Sequence, residues 1–338
     1  MRLNLKVIFL TFCHLVILNS IIGSNLAIYL STQYAYIVPL LLGGVTIILF
    51  LLLPTPHSSY ISKILKGHFL RFVLAIYLFL STLVILYVVF KILAMKVYLM
   101  TPTYLLIIVS LFFIFLLGKM SLKNILSVKI IVYILVLFST TIMFADTNEF
   151  NFRLLLPINF HLDNHVKLLS LGFIYLDSLL YLFIPLNDKQ VLSKWNFIIG
   201  TLLGSILSSW FIIYSYASLD YKFFIDLPFP SMYRYRIYAG PKYLEHLDIF
   251  FDFFVCAFFI LKVTFNLELF RVYLKIKNSF FYRLILTIII GLIVAFAFYH
   301  TDNNLIYTFY PCALLSAISF IIYAGLWRYH LYGKKTSP

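Results

Sequence analysis

The chain has 338 residues, of which 63% are hydrophobic and only 11% are charged, and its mean hydropathy is +1.01. A water-soluble domain of this length needs a far larger polar surface, so the composition excludes a soluble globular protein. The net charge of +14 is spread beside the ends of apolar runs rather than gathered in one patch, so it does not indicate nucleic-acid binding.

Ten apolar runs follow one another along the chain. Each is about long enough to cross a bilayer core as a helix, which takes roughly 20 residues. Because the runs are continuously apolar rather than alternating, they exclude a β-barrel and predict a single all-α polytopic membrane domain over residues 1–338. The predicted spans are residues 7–30, 35–53, 68–94, 101–118, 124–144, 166–185, 192–217, 244–273, 280–299 and 304–330.

Basic residues flank the spans unequally. Of the 26 Lys and Arg residues, 16 lie beside span ends on one side, six lie on the other side, and four lie within or near spans. Loops rich in Lys and Arg stay cytoplasmic, so both termini are predicted to be cytoplasmic, as an even number of spans requires. Two longer loops, 145–165 and 218–243, are then predicted on the outer side.

The first span contains a polar interruption at mid-depth, Asn19-Ser20-Ile21-Ile22-Gly23-Ser24. An unwound backbone is tolerated in a membrane only where it lines a cavity or is buried in protein. Transporters use such points to present helix ends and carbonyl groups to a substrate. We therefore expect Asn19, Ser20, Gly23 and Ser24 to bind a ligand, the alternative being a patch of small residues that packs helices together.

The sixth span carries a second interruption, in which Gly172, Tyr175 and Asp177 lie within one apolar run. Spans 1 and 6 occupy corresponding positions if ten spans divide into two halves of five. Paired interruptions at such positions point to the binding site of an inverted-repeat transporter. These three residues are therefore expected to join the ligand site.

Ionisable side chains inside a membrane cost at least about 2.5–3.5 kcal/mol at the centre of a helix, so their presence there indicates function. Asp177 in span 6 and Lys262 in span 8 are predicted to face the interior of the bundle and to serve in coupling. Lys262 is expected either to replace a bound cation or to form a structural ion pair with an acid in span 6 or 8. No residue pattern indicates a catalytic site, a metal site or a cofactor, so we do not expect an enzyme.

The stretch 228–273 reads PFPSMYRYRIYAGPKYLEHLDIFFDFFVCAFFILKVTFNLELFRVY. It resembles the spore germination permease family, the B subunits of germinant receptors. That family carries a P-[ST] element and then a span that opens with E-R-[LI]-[DE]. Pro230-Ser231 and Glu245-His246-Leu247-Asp248 match this order, with His246 in place of the usual Arg. Lys262 matches a lysine often present in this span.

The resemblance extends to spans 1 and 6, where Asp177 stands at the position of a frequent Glu, and through the order of its motifs it covers the whole chain. It implies the five-plus-five inverted-repeat fold of the amino acid–polyamine–organocation transporters, which is LeuT-like, with helices 1 and 6 broken. It also implies a sensing subunit in the spore inner membrane that binds a small germinant, an amino acid or a sugar, between spans 1, 3, 6 and 8. Such a subunit would signal to germinant receptor A and C subunits.

Two alternatives stay open. A secondary amino acid transporter in the cell membrane, coupled to protons or sodium, would use the same fold, and a fold alone does not separate the two functions. The outer segment from Pro228 to Asp248, which contains Glu245, is expected to act as an external lid or docking surface, the alternative being an interfacial helix that anchors span 8.

Overall fold

The chain folds into a bundle of helices. The computed structural model describes residues 5–23, 36–52, 68–94, 102–143, 165–178, 194–218, 247–300 and 309–333. Almost all of these residues are helical and no strand occurs among them, which confirms the predicted all-α class. The helices of this part are α1 (Leu5–Leu18), α2 (Ile37–Leu52), α3 (His68–Ile92), α4 (Thr103–Leu117), α5 (Leu122–Met143), α6 (His165–Leu176), α7 (Lys194–Ser218), α8 (Leu247–Leu274), α9 (Phe280–His300) and α10 (Phe309–Gly333).

The lengths and surfaces of the helices suit a lipid bilayer. In the part of the chain that is described, six helices are long and apolar enough to cross a membrane, and α2, α4 and α10 contain shorter apolar segments. Large apolar side chains cover the outside of the bundle: Leu292 and Phe296 are each 66% exposed and Phe138 is 64% exposed. Such a continuous apolar surface would drive aggregation in water. These are the features of a multi-pass α-helical membrane protein.

Some helices form the centre of the bundle and others form its edge. Of the span Leu5–Ile22, 72% is buried, whereas only 17% of an apolar 18-residue window within Phe280–His300 is buried. The most extensive helix pairings are α3 with α8, α1 with α7, and α6 with α10, followed by α2 with α7 and α5 with α8. The ends of α1 and α6 therefore lie inside the protein, and α9 lies at its edge.

Helices α1 and α7 approach each other closely because α7 presents glycines to α1. A Cβ atom added at Gly200 would lie 2.8 Å from Thr11 Cβ and 2.9 Å from the carbonyl oxygen of Ile8. One added at Gly204 would lie 3.0 Å from Leu15 Cβ. The two glycines are four residues apart, so they share one helix face, as in the small-residue contacts of membrane helices.

The turn between α8 and α9 closes with a strained residue. Lys275 has a φ of +57°, and it is the single non-glycine residue with positive φ among those described. Its amide donates to Val272 O and the amide of Ile276 donates to Arg271 O, at 3.1 Å each. This pair of bonds is the Schellman arrangement that ends many helices, where glycine usually occupies the left-handed position. A side chain there costs roughly 1 kcal/mol.

Replacing Lys275 by Gly should therefore stabilise the protein by about 0.5–1 kcal/mol, because glycine adopts positive φ without a steric penalty. Lys277→Gly is the matched control, since it removes the same charge from the same turn at a residue with ordinary φ. The control should be neutral or slightly destabilising. Thermal unfolding of the purified protein in detergent measures both variants, and equal shifts would show that backbone strain at Lys275 is not relieved.

Candidate functional site

The regular geometry of α1 ends at Leu18, and a wider π-helical turn follows from Asn19 to Gly23. π-Helical turns are rare and frequently occur at functional sites. The side chain of Asn19 is buried, and its Nδ2 donates to Tyr175 Oη at 3.1 Å and to Ser208 Oγ at 3.3 Å. The interruption in α1 is thus joined to α6 and α7 by uncharged hydrogen bonds.

Helix α6 ends just before the carboxylate that the sequence singles out. Its last α-helical residue is Leu176, and Asp177 and Ser178 continue as a tight 3₁₀ turn. Ser178 Oγ donates to the carbonyl oxygen of Tyr175 at 2.5 Å, which holds this turn together. Both Asp177 and Ser178 are fully buried. The end of α6 therefore places a carboxylate inside the bundle.

Three other helices supply partners to this carboxylate. Lys262 Nζ on α8 lies 2.6 Å from Asp177 Oδ2, and His14 Nε2 on α1 lies 2.9 Å from the same oxygen. Tyr77 on α3 donates its hydroxyl to Asp177 Oδ1 at 2.8 Å. We call these four residues the central network. It draws one side chain from each of α1, α3, α6 and α8.

The whole network is shielded from solvent. His14, Asp177 and Lys262 have no exposed surface, and Tyr77 is 1% exposed. Burying charges costs several kcal/mol per ion, and only close partners with good geometry offset that cost. Both oxygens of Asp177 are engaged in this way. The arrangement can therefore keep a carboxylate and an ammonium group inside a membrane protein.

A second buried lysine lies beside the network. Lys129 on α5 has no exposed surface, and its Nζ lies 5.0 Å from the centre of the Phe265 ring and 5.8 Å from that of Phe258. Lys262 Nζ lies 5.8 Å from the same Phe265 ring. Aromatic faces attract ammonium groups, and the attraction strengthens where water is excluded. Phe265 thus lies beside both Lys129 and Lys262.

Several sequence-predicted residues are brought together. Asn19 and Tyr175 are hydrogen bonded to each other, and Asp177 and Lys262 form an ion pair. The prediction that Asp177 and Lys262 face the interior of the bundle is confirmed. The ion pair that was the alternative for Lys262 is present. Ser20 is buried next to Asn19 in the π-helical turn, and its hydroxyl donates to Ile17 O of α1 at 2.9 Å.

Other predicted residues lie apart or outside the described residues. Gly172 faces α10, where a Cβ atom would lie 3.2 Å from Ser316 Oγ, so it permits helix packing. Gly23 ends the π-helical turn, but Ser24 lies outside the described residues. Glu245 also lies outside them, as do loop residues 145–164 and 219–243. Asp248 lies in the first turn of α8, and its side chain is outside the description.

Sequence reasoning missed three members of the site. His14 is a single polar residue in an apolar run, Tyr77 is one of 26 tyrosines, and Ser208 is one of many serines in spans. None of them has a local signal that distinguishes it. A stripe of small residues, Gly200, Gly204 and Ser208 at intervals of four, was readable in α7 and would have placed that helix against α1.

The chemistry available at this site is hydrogen bonding and proton or ion exchange. All three cysteines of the chain are buried thiols without a disulfide. Within the described residues, no three His, Cys, Asp or Glu side chains lie close enough to hold a metal ion.

No protein family model matches the chain, and no curated protein sequence is similar to it.

Proposed function

We propose that this chain is the nutrient-sensing membrane subunit of a spore germinant receptor. It binds a small germinant, an amino acid or a sugar, inside a transporter-like bundle and signals to A and C partner subunits. The observation that carries the proposal is the central network. His14, Tyr77, Asp177 and Lys262 come from helices 1, 3, 6 and 8, the four between which the resemblance implies a ligand pocket.

The pattern of helix pairings supports the five-plus-five repeat in this proposal. In a five-plus-five repeat, each of the first five helices corresponds to the helix five places further along the chain. Under this correspondence, the pairing of α1 with α7 is equivalent to the pairing of α6 with α2, and both occur. The correspondence likewise turns α1 with α5 into α6 with α10, α3 with α10 into α8 with α5, and α3 with α9 into α8 with α4. The pairings of α3 with α8, α2 with α7, α4 with α9 and α1 with α6 map onto themselves. The small contact between α3 and α4 is the exception among the described residues.

The two polar groups in the bundle take different roles in this proposal. The hydrogen bonds of Asn19 with Tyr175 and Ser208 join uncharged groups at the interruption of α1. In this proposal a polar ligand replaces these bonds with its own hydrogen bonds to the same side chains. A ligand ammonium group at Asp177 would have to displace Lys262, His14 or Tyr77 from the carboxylate. Asp177 therefore serves to couple α1, α3, α6 and α8 rather than to bind the ligand directly.

Ligand binding must change the relative stability of two arrangements of the bundle in order to signal, which requires different affinity for the two. An ion pair that joins the end of α6 to α8 suits this task, because moving either helix alters the pair. Breaking a buried pair costs about 3–5 kcal/mol. Energies of that size separate two conformations into a major and a minor state.

Germination of intact spores tests the receptor proposal. Spores of the source organism that lack this chain should fail to germinate with at least one nutrient from a panel of amino acids and simple sugars. The native chain should restore the response, whereas Gly23→Leu, which puts a bulky side chain at the end of the π-helical turn, should not. Gly44→Ala is the control, because a Cβ atom there would meet nothing within 4 Å. Unchanged germination of the deletion strain with every nutrient would contradict the proposal.

A secondary amino acid transporter is the second candidate, and the composition of the central network favours it. Acidic and histidine side chains inside membranes often serve as proton relays in transporters. Purified protein in proteoliposomes separates the two functions. Accumulation of a labelled amino acid driven by a proton or sodium gradient would favour the transporter, whereas binding without accumulation favours the receptor.

Lys262 gives a further prediction about ion dependence. Its ammonium group already supplies a fixed positive charge beside Asp177, at 2.6 Å, so a bound sodium ion is not needed there. The response to nutrient should therefore be the same in sodium and potassium salts at constant ionic strength. Lys262→Met should disable the response, or else make it depend on sodium. A steep sodium requirement of the native protein would rule out this role of Lys262.

A further inference from the structure

A small cavity lies where α4, α8 and α9 meet, at the end of the bundle that the charge distribution predicts to be cytoplasmic. Its volume is about 30 Å³, and its walls include Phe115, Gly118, Glu268, Tyr282 and Arg283. A water-sized group needs roughly 10–15 Å³ in such a measure, so the cavity holds about two oxygen atoms. It is therefore too small for a nutrient and of the right size for part of a polar group.

Two donors on the cavity wall are unsatisfied. The hydroxyl of Tyr282 and Nε of Arg283 are buried and have no hydrogen-bond partner among the described residues. The rest of Arg283 is fixed, because its NH1 group donates to Asn278 Oδ1 at 2.7 Å and its guanidinium carbon lies 5.9 Å from the centre of the Phe115 ring. A buried donor without a partner destabilises the protein, because it has lost its hydrogen bonds to water. Acceptor oxygens entering the cavity would recover that free energy.

The one acidic group in the wall does not oppose an anion. Both carboxylate oxygens of Glu268 are engaged by Arg271, whose Nε lies 2.9 Å from Oε2 and whose NH2 group lies 2.5 Å from Oε1. Arg271 also donates to Ile276 O at 3.0 Å, which ties the pair to the turn after α8. The charge of Glu268 is thus neutralised by a bidentate contact.

Exposed lysines lie at the two turns next to the cavity. Lys119 and Lys123 lie at the turn between α4 and α5, and Lys275 and Lys277 lie at the turn between α8 and α9. The two turns are joined, since Asn278 donates to Gly118 O at 3.5 Å. These four ammonium groups and the guanidinium group of Arg283 give one corner of the bundle a concentrated positive charge. Basic pockets between membrane helices at the interface are suited to anionic lipid head groups.

Apolar side chains continue from this corner along the lipid-facing surface. Phe281 is 72% exposed, Phe280 is 52% exposed and Leu284 is 36% exposed in the first turns of α9, beside Tyr282 and Arg283. A free anion makes no use of such a surface. The acyl chain of a bound lipid would lie along it, as bilayer lipids do along the rest of the lipid-facing surface.

We propose that this corner binds an anionic phospholipid, with phosphate oxygens in the cavity on Tyr282 and Arg283, the lysines around the head group and an acyl chain along α9. Phosphate oxygens accept hydrogen bonds from guanidinium and hydroxyl donors, which is the chemistry that the two unsatisfied groups supply. This lipid site lies apart from the central network and does not depend on the ligand of that network.

Native mass spectrometry of the full chain in nonionic detergent tests the proposal, with short-chain phosphatidylglycerol, phosphatidylcholine and inorganic phosphate as probes. Phosphatidylglycerol should bind and the other two should not. Tyr282→Phe, which removes only a hydroxyl, and Arg283→Gln should each weaken phosphatidylglycerol binding about fivefold or more. Lys6→Gln, an exposed lysine near the start of α1, is the control and should bind as the native chain does.

The other outcomes overturn the assignment. Equal binding of phosphatidylcholine, which has the same phosphate but also a cationic choline group, would mean that the lysines do not select a lipid with net negative charge and that the site is not specific for anionic lipids. Binding of inorganic phosphate that matches phosphatidylglycerol would identify a free-anion site instead of a lipid site. If Tyr282→Phe and Arg283→Gln both bind phosphatidylglycerol as strongly as the native chain does, the lipid phosphate does not occupy the cavity.

Discussion

Replacing Asp177 by Asn should lower the stability of the protein by about 3–5 kcal/mol, because it leaves the ammonium group of Lys262 buried without its 2.6 Å ion-pair partner. Asparagine keeps the shape of the side chain and can still contact Tyr77 and His14, so the loss reports on charge rather than on packing. For a chain of this size, the expected fall in melting temperature is on the order of 10 °C. Thermal unfolding of purified protein in detergent measures it.

A double variant gives the control for this prediction. Asp177→Asn combined with Lys262→Met removes both charges, and replacing a whole buried ion pair by groups of similar volume is often neutral or stabilising. The double variant should therefore recover most of the stability that Asp177→Asn loses. It should not recover the normal response to nutrient, which Lys262→Met is expected to disable or to make dependent on sodium. Additive losses in the two single variants and the double variant would show that Asp177 and Lys262 are not coupled.

Gly200→Ala should destabilise the protein by about 1–3 kcal/mol, since one added methyl group overfills the contact between α1 and α7. The new Cβ atom would lie 2.9 Å from the backbone oxygen of Ile8, which can yield only if α1 moves. A shift of α1 would also disturb the hydrogen bonds of Asn19 with Tyr175 and Ser208. The melting temperature and the nutrient response should therefore fall together.

Gly44→Ala is the matched control, because it makes the same substitution in α2 where the added Cβ atom meets nothing within 4 Å. Alanine stabilises a helix by up to about 1 kcal/mol relative to glycine, so this variant should be neutral or slightly more stable. Gly200→Ala is thus predicted to lower the stability of the protein, and Gly44→Ala is predicted not to. A stable, responsive Gly200→Ala protein would mean that α1 and α7 are not held at the distance seen here.

The positions of the helices were largely predictable from the sequence. A membrane span must satisfy its backbone hydrogen bonds internally, so a continuous apolar run leaves few alternatives to a helix. Thus α9, predicted at residues 280–299, is found at Phe280–His300, and α3, predicted at residues 68–94, is found at His68–Ile92. The cost of burying charge likewise identified Asp177 and Lys262 as interior groups.

The partners of those charges were not predictable. His14 and Tyr77 lie far from Asp177 along the chain, and their identity as partners depends on how α1, α3 and α6 pack together. Packing of membrane helices is decided by close contacts of small residues and by interhelical hydrogen bonds, which apolar runs do not reveal. The turn at Lys275 has no glycine to mark its left-handed position, so the conformation of this turn could not be predicted from the sequence either.

Binding of a nutrient to the purified protein tests the central claim most directly. Common amino acids and simple sugars are added in turn, and the melting temperature of the native protein is compared with those of Tyr175→Phe, Asn19→Ala and Gly44→Ala. A ligand at 100 times its Kd stabilises a protein by about 2.7 kcal/mol. The account predicts that at least one nutrient raises the melting temperature of the native protein and of Gly44→Ala, and that the rise is lost in Tyr175→Phe and Asn19→Ala. An equal rise in all four proteins, or no rise with any nutrient, would contradict a ligand site at the interruption of α1.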